Sequence, residues 1–161
     1  MKQVCLGLGS NVGDSKTIFQ KVINDLSGIT PEVRVSSLYS TKPQEYIDQP
    51  DFYNCAVGFV WNRSFLHLLN ILLEIEKKYG RVRDVSHRYG PRTIDIDLLW
   101  IEGYCLHTPA LEVPHPRLKF RAFALVPLLE LFPTAKNPLD GVPYTISDAL
   151  KIEQGISTDY W

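Results

Sequence analysis

Apolar residues in this chain recur at strand spacing, then at helix spacing, and the order of those switches limits the fold more than any single motif does. Val4 to Leu8 is a short apolar run bounded by Gly7, Gly9 and Asn11, the pattern of a buried strand running into a tight turn. Asp14 or Ser15 can cap a helix that puts Ile18, Phe19, Val22, Ile23 and Leu26 on one face, and Gly28 can stop it. Val33 to Thr41 alternates and is rich in strand-forming residues; Phe52 to Trp61 is the next strand. Ser64 is expected to cap the longest helix, Phe65 to Tyr79, and Gly80 to stop it. Ile94 to Ile101 is again a strand, and Gly103 is expected to turn it into a hairpin ending near Thr108. Leu118 to Leu131 reads as helical, with Pro127 expected to kink or split it.

Strand, helix, strand, strand, helix, strand is the split β-α-β order of an α+β, ferredoxin-like domain. The expected core is an antiparallel sheet with helices packed on it, plus an added hairpin and a C-terminal helical segment. Residues 1–150 form the expected single domain, and 151–161, with weak patterning, a surface tail. Two polar stretches, Lys42 to Asp51 and Arg81 to Thr93, read as long loops, which in small domains are more often functional than incidental.

Composition narrows the function classes. A chain of 161 residues can bury a core without disulfides, and no apolar run is long enough to span a bilayer. Cys5, Cys55 and Cys105 are odd in number and widely spaced, so they read as reduced thiols, and a cytoplasmic location is the default expectation. A net charge of −1 gives no general attraction to nucleic acid or membrane. The distribution of charge is uneven, however. Four of eight arginines (Arg81, Arg83, Arg88 and Arg92) fall within twelve residues, and Asp95 and Asp97 follow at once.

Residues two apart on a strand share a face, about 6.5–7 Å apart. Asp95 and Asp97 therefore lie side by side, while Ile94, Ile96 and Leu98 turn to the core. Paired carboxylates repel unless a cation lies between them, and hard oxygen ligands suit Mg²⁺. Guanidinium groups bind phosphates in bidentate fashion and stay charged. Either cluster alone could be a solvated surface, but together they match what a nucleotide–Mg²⁺ complex requires. His115 sits between Pro114 and Pro116, with Arg121 nearby. Phe52, Asn54 and Phe123 could sandwich and edge-bond a flat heterocycle, or could be ordinary core residues. The chain contains no G-x-x-x-x-G-K-[ST] phosphate loop. In Gly7-Leu8-Gly9-Ser10-Asn11-Val12-Gly13 the third glycine is one place late for a dinucleotide fingerprint. An RNA-binding domain on the same sheet is the competing binding-module reading, against which stand the lack of an aromatic-rich strand motif and of basic excess. Another Mg²⁺–ATP transferase with a different acceptor is the competing enzyme reading.

Arg88-Tyr89-Gly90-Pro91-Arg92-Thr93-Ile94-Asp95-Ile96-Asp97-Leu98-Leu99 resembles the signature of the 6-hydroxymethyl-7,8-dihydropterin pyrophosphokinase family of folate biosynthesis. Leu8-Gly9-Ser10-Asn11, Gln49-Pro50-Asp51-Phe52-Tyr53-Asn54, Gly80-Arg81-Val82-Arg83 and Val113-Pro114-His115-Pro116-Arg117 extend the likeness to roughly residues 3–150. The resemblance implies transfer of the β,γ-pyrophosphoryl group of ATP to the pterin hydroxymethyl oxygen, with release of AMP. It implies that Asp95 and Asp97 hold two Mg²⁺ ions and that Arg81 and Arg92 stabilise the transferring group. Glu76, Arg83, Arg88, Tyr89, Leu98, His115 and Arg121 would serve ATP, Glu76 by touching the nucleotide or by ordering the arginine loop. Thr41, Gln44, Phe52, Asn54 and Phe123 would hold the pterin. The implied partners are these two small molecules alone, with neither nucleic acid nor membrane, and a monomer is expected. Tyr89, Leu73, Ala110 and Glu112 depart from relatives at positions near the nucleotide.

Overall fold

The computed structural model describes residues 1–43, 48–80 and 93–161. Within them the elements run β1 (Lys2–Ser10), α1 (Ser15–Ser27), β2 (Arg34–Val35), β3 (Leu38–Thr41), β4 (Phe52–Trp61), α2 (Phe65–Lys78) and β5 (Asp95–Ile101). There follow β6 (Leu106–His107), β7 (Glu112–Val113), a 3₁₀ turn (Leu118–Phe120), α3 (Ala122–Leu131), α4 (Asp148–Gln154) and β8 (Ser157–Asp159). The main sheet has the order β5-β1-β4-β3-β8, with β2 also paired to β4. All of its pairings are antiparallel. This is the expected ferredoxin-like α+β arrangement, in which β2 and β3 together take the place of one strand.

Alternation along the central strands builds a core on each face. Val4, Leu6 and Leu8 of β1 join Phe19, Val22 and Leu26 of α1 and Leu68 and Leu72 of α2. Cys5 and Ala56 face the other way and pack with Leu99, Trp100, Leu125 and Leu128 under α3. Each fully buried side chain of this size contributes about 1.5–3 kcal/mol before conformational entropy is set against it. The N-terminus of α1 is held by Asp14, whose carboxylate accepts the Thr17 N–H at 3.2 Å.

Several local expectations are corrected. Gly7 and Gly9 lie inside β1 rather than in a turn, and the strand runs on to Ser10. Strand Val33–Thr41 is broken at Ser36 and Ser37: the Ser36 hydroxyl accepts the Ala56 N–H at 2.8 Å, so one extra residue bulges between β2 and β3. Gly103, at φ 59°, turns the chain, but β6 pairs with β7 rather than with β5. The helical stretch 118–131 divides at Arg121, which is extended (φ −119°, ψ 106°), and α3 runs through Pro127. The C-terminal residues expected as a tail contain the end of α4 and the edge strand β8, which pairs Leu38 with Asp159 and Ser40 with Ser157. No helix among the described residues is long and apolar enough to cross a membrane.

Candidate active site

The alternation of β5 decides where its carboxylates go. Ile94, Ile96 and Leu98 are buried in the core beneath α1 and α2. Asp95 and Asp97 turn to the opposite face, where they line a cavity of about 410 Å³. Across from them on β1, Gly9 pairs with Asp95 and Gly7 with Asp97. Neither glycine puts a side chain on this face. A Cβ at Gly7 would lie 3.0 Å from Leu99 Cδ1, and one at Gly9 would lie 3.3 Å from Asn54 Oδ1. The two glycines thus make a flat floor beside the aspartates. A bulge between Cys5 and Leu6 in this register places both Leu99 and Trp100 toward α3.

The far side of the floor is supplied by β3 and β4. Phe52, Asn54 and Thr41 line the same cavity. Asn54 is buried and donates from Nδ2 to Thr41 Oγ1 at 3.0 Å, which fixes the orientation of its amide. The roof comes from the segment ahead of α3 and its first turn: Arg117, Phe120, Arg121 and Phe123, with Gln154 of α4 beside them. The Arg121 guanidinium lies 5.4 Å from the centroid of the Phe123 ring. Gln49 also lines the cavity, and its loop is tied to Asn11, whose Nδ2 donates to Gln49 Oε1 at 2.9 Å and to the Pro50 carbonyl at 3.0 Å.

The structure therefore gathers Thr41, Phe52, Asn54, Asp95, Asp97, Arg121 and Phe123 around one space. The side chains of Glu76, Leu98 and His115 do not line it. Glu76 is buried on α2, and its carboxylate accepts the Ile96 N–H at 3.2 Å, from beneath the strand that carries both aspartates. Leu98 lies in the helix-side core. His115 is anchored by its own N–H to the Leu99 carbonyl at 2.9 Å. Its Nδ1 accepts the Arg117 N–H at 3.2 Å, so the neutral ring carries its proton on Nε2. Burial pushes the His115 pKa down to about 4, and the Arg121 guanidinium adds to the effect against the opposing charge of Asp95. Gln44, Arg81, Arg83, Arg88, Tyr89 and Arg92 lie outside the described residues.

The donor set fits a divalent hard cation. Among the described residues no group of three or more His, Cys, Asp or Glu gathers as a ready-made metal cage. Two carboxylates on one rigid strand, open to a cavity, are the ligand supply expected for Mg²⁺, which keeps waters and takes substrate phosphate oxygens. Sequence reasoning missed Gly7 and Gly9 as floor, and Lys42, Phe120 and Gln154 as lining. The paired glycines at strand spacing were a usable signal for the floor; nothing in the sequence marks Gln154.

An antiparallel ferredoxin-like sheet with paired aspartates facing an aromatic- and amide-lined cavity fits an enzyme that transfers a group between small molecules. Comparison with known proteins gives the family. A family model described as 7,8-dihydro-6-hydroxymethylpterin-pyrophosphokinase matches residues 5–133. The chain is 39% identical over 128 residues to 2-amino-4-hydroxy-6-hydroxymethyldihydropteridine pyrophosphokinase of Bacillus subtilis, covering 78% of this chain and 75% of that one. It is 36% identical over 138 residues to the folic acid synthesis protein FOL1 of Dictyostelium discoideum, covering 84% of this chain but only 20% of that protein's length. In fold it is similar to a crystal structure of a Plasmodium falciparum HPPK-DHPS triple mutant with pteroate, at TM-score 0.66 and 15% identity, over 94% of this chain and 43% of the other. This chain belongs to the 7,8-dihydro-6-hydroxymethylpterin-pyrophosphokinase family.

Proposed function

We propose that this chain transfers the β,γ-pyrophosphoryl group of ATP to the hydroxymethyl oxygen of 6-hydroxymethyl-7,8-dihydropterin, releasing AMP, as a step of folate biosynthesis. The pterin oxygen bonds to the β-phosphorus, the bond from that phosphorus to the α-phosphate oxygen breaks, and the hydroxyl proton is lost. The observation that carries the reading is that Asp95 and Asp97 share one cavity with Phe52, Asn54 and Phe123. A metal-binding edge and a heterocycle-binding edge on one space are what joining a polyphosphate to a flat ring demands.

Asp95 and Asp97 would hold two Mg²⁺ ions, which would supply neutralisation of phosphate charge and a lower pKa for the acceptor hydroxyl. Phe52 and Phe123 stack on the pterin, and Asn54, held by Thr41, reads its edge. Gln44 completes the pterin pocket. Arg121 and His115 serve the ATP phosphates, with His115 neutral at pH 7. Arg81 and Arg92 stabilise the transferring group, and Glu76, Arg83, Arg88, Tyr89 and Leu98 attend the nucleotide, Glu76 and Leu98 from beneath the strand. The protein acts as a monomer in the cytoplasm.

An assay of AMP release with and without the pterin tests this. AMP is expected only with pterin, ATP and Mg²⁺ together, and none after chelation until Mg²⁺ is restored. Asp95→Asn and Asp97→Asn should each lower kcat at least ~100-fold. Release of ADP, or near-normal turnover by either variant at saturating Mg²⁺, refutes the assignment.

A further inference from the structure

The roof of the cavity is broken at its most important point. Leu118–Phe120 forms a 3₁₀ turn, α3 begins at Ala122, and Arg121 between them is extended. Such a break leaves the carbonyl ending one helix and the N–H groups starting the next in need of partners. Arg121 stands at the N-cap position of α3, yet no side-chain cap bond is made there, and a guanidinium has no acceptor to offer.

Gln154, the last residue of α4, supplies both partners from 32 or more residues away in the chain. Its Nε2 donates to the Phe120 carbonyl at 2.7 Å, and its Oε1 accepts the Ala122 N–H at 2.6 Å. One amide thus clamps the backbone immediately before and after Arg121. The clamp is itself held. Ser147 caps the other end of α4 by accepting the Leu150 N–H at 3.1 Å, and Gly155, at φ 61°, ends the helix so that β8 can pair with β3. β3 ends at Thr41, the partner of Asn54. None of these C-terminal residues falls in the segment, 5–133, matched by the family model.

We infer that Gln154 is a positioning residue: it fixes the extended backbone at Arg121, and so the placement of the Arg121 and Phe123 side chains over the cavity. The inference rests on the function proposed above, and its test separates the two. Gln154→Ala removes both bonds; Gln154→Glu keeps the acceptor for Ala122 and loses the donor to Phe120. Glu153→Gln, an exposed neighbour on α4, is the control and should behave as wild type.

Two measurements decide. Amide hydrogen exchange at Ala122 should accelerate at least roughly tenfold in Gln154→Ala, because its N–H loses its acceptor, and that at Ala124 and Leu125, which bond the Arg121 carbonyl, should rise as the first turn of α3 frays, while exchange in β1 and β4 stays at wild-type rates. In steady-state kinetics, Gln154→Ala should lower kcat/KM roughly tenfold or more, with Gln154→Glu intermediate, since small misplacement of a phosphate-binding group is costly. In an Arg121→Ala background the same Gln154→Ala substitution should cost clearly less than in wild type, because part of its effect acts through Arg121 and only the part through Phe123 remains. Unchanged exchange at Ala122, or a Gln154 effect that multiplies in full with Arg121→Ala, overturns the inference. Faster exchange in Gln154→Ala, together with a wild-type chain that releases no AMP, would leave the clamp standing and overturn the assigned reaction instead.

Discussion

At the residue scale, the site depends on a few side chains whose chemistry is set by what surrounds them. His115 is the clearest case. Burial, with help from Arg121, moves its pKa from 6.5 down to about 4. The folded chain thus refuses a proton that the unfolded chain takes up below 6.5. Stability present above pH 6.5 is lost as pH falls toward 4. In ligand-free protein, the melting temperature of the wild type should therefore fall more steeply across that window than that of His115→Gln. Equal slopes in a pair of thermal scans from pH 7 to pH 4 would show that His115 is not held neutral. Asp95 and Asp97 were legible in the sequence because a strand has a period of two and because Asp is a poor strand former that needs a reason to be there. In the sequence Gly7 and Gly9 suggest a turn, since a glycine reports only the absence of a side chain. That their absence is required by Leu99 and Asn54 on neighbouring strands is visible only once the register is known.

At the scale of elements, β5 is the margin of the main sheet and would expose backbone N–H groups there. Glu76 of α2 covers one of them, at Ile96, between the two aspartates. Glu76→Leu should leave that N–H without its acceptor and cost about 1–3 kcal/mol. It should also slow AMP release, since the strand that carries the carboxylates loses an anchor. Urea denaturation and the AMP assay check the two effects, and a variant as stable as wild type would deny Glu76 this role. Elements with strong apolar patterning were readable: Phe52 to Trp61 has the expected ends, and β5 begins one residue later than expected. The expected break at Pro127 was misplaced, because α3 tolerates the proline and divides at Arg121 instead. α4 escaped detection for a physical reason. It buries no residue fully, so it has no amphipathic signature to read. Its ties to the rest of the chain include the Gln154 amide, and its first turn is capped by Ser147.

At the scale of the whole molecule, the C-terminal segment closes the structure on the side away from β5. β8 lies along β3, Trp161 donates from Nε1 to the Ser36 carbonyl at 3.1 Å, and its ring meets Phe19 edge-on at 6.2 Å. Its residues, Ser157, Thr158 and Asp159, are few, polar and mostly exposed, so sequence patterning gave no sign of a strand. A consequence follows for how the molecule keeps to itself. β3 without β8 would offer a row of open N–H and C=O groups, and an open strand margin recruits strands from other chains. The three short residues of β8 replace that margin with one too brief and too polar to propagate. A chain ending at Ile156, which keeps Gln154, should gain apparent mass with concentration in light scattering while the full chain does not. A truncated chain that scattered like the full one would show that β3 needs no guard. The short strand that braces β3, and with it Thr41, would then double as the molecule's protection against self-assembly into sheets that extend from one copy to the next.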